Sequence, residues 1–171
     1  MPGITSKNEN LIYYLALLVI VFFAYPVLFY PLGRDHAISA YTGMSINDGG
    51  IPFKDAWEQK PPLLYFLYSL AFILFGESMK SIRIFDLLYT IATIALLRQF
   101  GKFLFGETVG IVAGIFYGML YLFTNDFWTL SNADGFLMLP TVGALYTCCI
   151  AQERDKRLLS CSAVFLSDVL L

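Results

Sequence analysis

The stretch from Leu11 to Leu32 constrains the fold most, because it runs without one charged side chain. As a helix rising about 1.5 Å per residue, it is long enough to cross the roughly 30 Å of hydrocarbon in a bilayer. A secretory leader is the competing reading. The run is longer than an apolar leader region of about 7–15 residues. Its basic flank is Lys7 alone, and no small-residue cleavage motif follows. It is therefore read as a retained span.

Composition agrees: 58% of residues are hydrophobic and 14% charged, against about 25% charged in a soluble domain. The net charge of −2 offers no footing for nucleic acid. Cys148, Cys149 and Cys161 lie in apolar runs without a CxxC pair, so they read as small buried side chains.

Four further apolar blocks follow: Pro61–Gly76, 82–100, 107–124 and 134–151. A fifth begins at Leu158 and reaches the end of the sequence at Leu171, which makes an incomplete chain the simplest expectation. As a helix Pro61–Gly76 reaches only about 24 Å, short of a crossing. The basic residues decide its role. If it spans, with the N-terminus inside, only Lys7, Lys80 and Arg83 face the cytoplasm. If it lies in the outer interface, Lys7, Arg98, Lys102, Arg154, Lys156 and Arg157 face inward. Short-loop Lys and Arg prefer the cytoplasm, so the second topology is expected. The expected fold is an all-α, polytopic transmembrane helical bundle in a single module. Its spans cover about 11–32, 82–100, 107–124, 134–151 and, in part, 158–171. An outer loop over 33–81 carries interfacial helices. A multi-pass protein of a prokaryotic plasma membrane is expected, with its active face extracytoplasmic.

That outer loop concentrates charge: Arg34, Asp35, Asp48, Lys54, Asp55, Glu58 and Lys60. Asp35 stands where an N-cap belongs. Behind it Ala37, Ala40, Tyr41 and Met44 form one apolar stripe at helical spacing, as in a helix lying in the interface. Gly49-Gly50 and Pro52 end that helix. The topology puts Asp35, Lys60, Arg83, Asp126 and Asp134 on one face. An aspartate there suits a general base, and the cations suit a phosphate. The plain readings are helix caps for Asp35 and Asp134 and an interfacial anchor for Lys60. Glu58 reads as solvated, His36 as an ordinary loop residue, and Tyr65, Phe66 and Tyr68 as an interfacial aromatic belt.

Five short motifs occur in order: Asp35-His36; Gly49-Gly50-Ile51-Pro52-Phe53; Lys60-Pro61-Pro62-Leu63-Leu64-Tyr65; Phe75-Gly76 followed by Arg83; and Asn132-Ala133-Asp134-Gly135-Phe136. Over about residues 10–155 this order resembles the N-terminal portion of GT-C membrane glycosyltransferases. It is most similar to the dolichyl-phosphate-mannose protein mannosyltransferase and aminoarabinose transferase group. The resemblance implies transfer of a sugar from a polyprenyl-phosphate donor to a hydroxyl at the outer membrane surface, with membrane lipids as the other partners. It implies Asp35 as general base, Asp134 as a second catalytic acid, and Lys60 beside the lipid phosphate. Arg83, Glu58 and Tyr65 complete the implied substrate-binding set. His36 replaces the family's usual Glu. A divalent ion shared by Asp35 and Glu58 stays open as a cofactor. The competing class is a non-catalytic membrane subunit, a transporter fragment or a truncated inactive glycosyltransferase. A transporter would place ionisable groups near the midplane of broken helices. Here they lie at span ends, with Asp86 the ambiguous case.

Overall fold

The computed structural model describes residues 3–124 and 129–154. Within them the named elements are helices. They are α1 (Gly3–Ala24), continued by a 3-10 turn at Tyr25–Phe29, α2 (Arg34–Asn47), α3 (Pro62–Phe75), α4 (Met79–Phe105), α5 (Glu107–Thr124) and α6 (Ala133–Arg154). Asp126, Cys161 and the expected span at 158–171 lie outside the described residues.

The outward faces of α1 and α5 are apolar. Leu11, Leu15, Leu18 and Phe22 of α1 and Val112, Phe116 and Phe123 of α5 are exposed. The interior of α4 instead buries Arg83, Asp86, Thr90 and Thr93. Apolar outside and polar inside is the arrangement a bilayer rewards. Asn8–Phe29 and Ala133–Ala151 are long and apolar enough to cross on their own.

Helix boundaries follow local chemistry. The α1 helix ends at Ala24, short of the expected Leu32, because Pro26 opens the tighter turn. At the α3–α4 junction the axis bends by 108°. Gly76 there has φ +83, a conformation that favours glycine. Ser78 then caps α4, its Oγ accepting from Ser81 N–H at 3.2 Å. That cap starts α4 at Met79, earlier than the expected 82, and it runs on to Phe105.

One residue, Gly106 at φ +100, turns α4 into α5. The two helices then pack backbone to backbone. A Cβ at Gly110 would sit 2.2 Å from the Arg98 carbonyl oxygen, and one at Gly114 2.8 Å from that of Ile94. Small residues at this spacing let membrane helices approach closely. Pro140 sits inside α6 and cannot donate to Phe136, four residues back. Tyr89 of α4 supplies the missing donor: its hydroxyl reaches the Phe136 carbonyl at 2.9 Å.

The α2 helix begins one residue before Asp35, and its N-cap is Gly33, so Asp35 belongs to the first turn and is not the cap. Its packed face is small and polar: His36, Ser39, Ala40, Thr42 and Gly43 are buried. Gly43 allows α3 close, since a Cβ there would meet the Tyr68 Cβ at 2.8 Å. Of the predicted apolar stripe only Ala40 is buried. Ala37, Tyr41 and Met44 line a groove of about 290 Å³ that Phe72 and Met79 close on the other side.

Candidate functional site

The loop after α2 turns at Phe53, whose N–H donates to the Ala56 carbonyl at 2.8 Å, and returns the chain to Lys60 beside α3. Tyr65, one turn into α3, holds Lys60 by its backbone. The Lys60 N–H donates to the Tyr65 hydroxyl at 3.1 Å, and that hydroxyl donates to the Lys60 carbonyl at 3.0 Å. Pro61 and Pro62 fix the helix start that makes this geometry repeatable.

The Lys60 side chain is only 20% exposed. Its Nζ donates to Asn132 Oδ1 at 2.8 Å and lies 3.5 Å from Glu58 Oε1. The other Glu58 oxygen accepts from Ser39 Oγ at 2.7 Å. Lys60 is therefore a positioned cation, not a mobile interfacial anchor, and Glu58 is partly buried, not solvated. Asn132 Oδ1 also accepts from Ala133 N–H at 2.8 Å, at the start of α6, whose first turn carries Asp134. Asp134 is exposed.

Arg83 stands at the head of α4 as expected, but it is fully buried. Its guanidinium donates to the carbonyls of Pro31 and Leu130 and to Ser131 Oγ, each at 2.9 Å. Ser131 Oγ in turn donates to Asp86 Oδ2 at 2.8 Å, while Tyr121 donates to Asp86 Oδ1 at 2.9 Å. Tyr68 donates to the Ser131 carbonyl at 2.7 Å. Arg83 thus ties the end of the first span to the turn before α6, through Pro31 and Leu130. Ser131 adopts φ +64, uncommon for a residue with a side chain, and this network holds it there.

His36 is not a loop residue. It lies in α2, 1% exposed, and its Nδ1 accepts from Gly33 N–H at 3.1 Å. Burial first, then the charges of Arg83 and Lys60, lower its pKa to about 4, with Asp35 acting in the opposite sense. Neutral His36 keeps the acceptor that closes the first turn of α2. The next residue back, Asp35, is exposed, 4.0 Å from the Arg34 Nε.

The aromatic belt is only partly interfacial: Phe66 is exposed, but Tyr65 and Tyr68 are buried and hydrogen-bonded. Both oxygens of Glu58 already face a protein partner, Ser39 Oγ at 2.7 Å and Lys60 Nζ at 3.5 Å. Among the described residues no group of three or more His, Cys, Asp or Glu side chains converges to hold a metal.

Sequence reasoning missed Ser39, Ser131, Asn132 and Tyr121 as members of this cluster. Asn132 was visible beside Asp134, but nothing in its spacing joined it to Lys60.

The family model for dolichyl-phosphate-mannose-protein mannosyltransferases matches residues 59–167, more than half of the chain. The matched part contains Lys60, Arg83, Asn132 and Asp134; Asp35, His36 and Glu58 precede it. No curated protein and no solved structure matches the chain. With its apolar exterior and spanning helices, this is an integral membrane protein of glycosyltransferase type, and it belongs to the dolichyl-phosphate-mannose-protein mannosyltransferase family.

Proposed function

We propose that the protein transfers a sugar from a polyprenyl-phosphate-linked donor to a hydroxyl acceptor at the outer membrane surface. One observation carries this reading above the others: Lys60 is held by backbone and side chain together, at the foot of an apolar helix. A cation so placed suits a phosphate at the depth of lipid headgroups. The groove beside α2, walled by Tyr41, Met44 and Phe72, suits part of an isoprenoid chain.

In the proposed step Asp35 takes the proton of the acceptor hydroxyl. The acceptor oxygen bonds to C1 of the sugar as the C1–O bond to phosphate breaks. The electron pair leaves with the phosphate oxygen, whose charge Lys60 balances. Attack opposite the leaving phosphate inverts C1. Asp134, two residues beyond the Lys60 partner Asn132, is proposed as a second acid facing the acceptor.

Donor binding to purified parent, Lys60→Gln and Lys60→Arg proteins in one detergent tests the reading. The Gln variant is expected to lose about 1.5–3 kcal/mol of donor affinity, the scale of a hydrogen bond to a charged group. The Arg variant recovers part of it, since a planar fork does not replace a point charge. Equal affinity in all three removes the reading. Asp35→Asn is expected to lower turnover by roughly 10²–10⁴-fold with donor binding retained.

A further inference from the structure

At the other end of the bundle α1 and α4 stand side by side against α5 and leave a groove of about 360 Å³ between them. Its lining changes steadily along the helix axes. Leu17, Ile91 and Ala95 form the deep wall; Tyr13 lies a turn nearer the end; Arg98 and Lys102 form the rim. From Ile91 to Lys102 α4 rises about 16 Å, half of a roughly 30 Å hydrocarbon layer. The groove therefore has the depth of one leaflet, with its charge at headgroup level.

The rim is built, not incidental. Arg98 stacks over the Tyr13 ring at 4.2 Å from its centroid and donates to Glu107 Oε1 from its Nε at 3.1 Å. Lys102 Nζ reaches the other Glu107 oxygen at 2.6 Å, yet its side chain remains 61% exposed. Glu107 answers one of the two cations, so the lining keeps one net positive charge.

We propose that this groove binds an anionic phospholipid, an acyl chain along Leu17, Ile91 and Ala95 and the phosphate at Lys102 and Arg98. The proposal does not depend on the sugar-transfer chemistry. Basic pockets between membrane helices take anionic headgroups in this way, and the cytoplasmic leaflet supplies them.

The test uses the full chain in detergent, titrated with phosphatidylglycerol, phosphatidylcholine or inorganic phosphate and followed by native mass spectrometry and thermal shift. The parent is expected to prefer phosphatidylglycerol to phosphatidylcholine by roughly fivefold, the effect of about one basic residue at a membrane surface. Lys102→Gln leaves Glu107 on Arg98 but removes the net charge, and should abolish the preference. Ala95→Trp fills the acyl wall with every charge kept, and should lower binding of both lipids. Equal affinity for the two lipids overturns the proposal, as does a preference that survives Lys102→Gln, or lipid binding that Ala95→Trp leaves unchanged. A stabilisation by inorganic phosphate equal to that by phosphatidylglycerol also overturns it, because the rim would then read phosphate without a lipid. Where Lys102→Gln lowers the yield, the charge is tested on the parent by raising salt, which should erase the preference for phosphatidylglycerol.

Discussion

Lys60 and Asn132, far apart in sequence, meet at 2.8 Å, and the same Asn132 oxygen accepts from the first N–H of α6. One amide thereby places both the cation of the loop before α3 and the helix that carries Asp134. Asn132→Ala should remove both bonds. It is expected to raise the donor KM and to lower stability by about 1 kcal/mol, the usual loss for a cap. Asn132→Ser restores the cap but is too short for Lys60, so it should recover the melting temperature and leave KM raised. If KM follows stability in both variants, Asn132 is a cap alone.

Ser131 is the hinge of the buried network, bonded at once to Arg83 and Asp86. Ser131→Ala leaves each of these buried groups one partner short. A loss of about 1–3 kcal/mol is expected, the range for an unsatisfied buried polar group. Thermal unfolding in detergent measures it. A change within experimental scatter would mean that the remaining partners of Arg83 and Asp86 suffice.

The His36 shift has a pH consequence. Its folded pKa of about 4 lies below the ordinary 6.5, so the unfolded chain binds the proton more readily. Stability from neutral His36 is full above pH 6.5 and is lost as the pH falls toward 4. His36→Asn, which offers an acceptor at nearly the same place, should flatten that part of the stability profile. A profile with unchanged slope between these limits would assign the loss to other groups.

The topology makes a separate prediction. An impermeant thiol reagent added from outside should label a Ser78→Cys protein above the background of its own cysteines, and should leave Lys102→Cys unlabelled. Ser78 lies at the 108° bend between α3 and α4, while Lys102 lies at the other end of α4. The reverse pattern would overturn the interfacial reading of α3.

Hydropathy, helical spacing and turn residues determined much by themselves. The apolar exterior, α5 over 107–124, α2 behind Gly33-Arg34-Asp35 and the stop at Gly76 are all short-range matters, decided by backbone geometry and by what lipid tolerates. The close packing of α4 on α5 was also written in the chain, in Gly110, Gly114 and Gly118 at four-residue spacing, a signal the hydropathy reading passed over. The site was different. Lys60, Glu58 and Arg83 were identifiable as residues, but a buried polar group needs partners that complete its hydrogen bonds, and those partners came from elsewhere. Arg83 was completed by Pro31, Leu130 and Ser131, and Lys60 by Asn132. Only the tertiary structure decided that one of these two cations ties spans together while the other is held beside Glu58 at the loop. Pairing of buried charge depends on distance in space, which no spacing along the chain encodes.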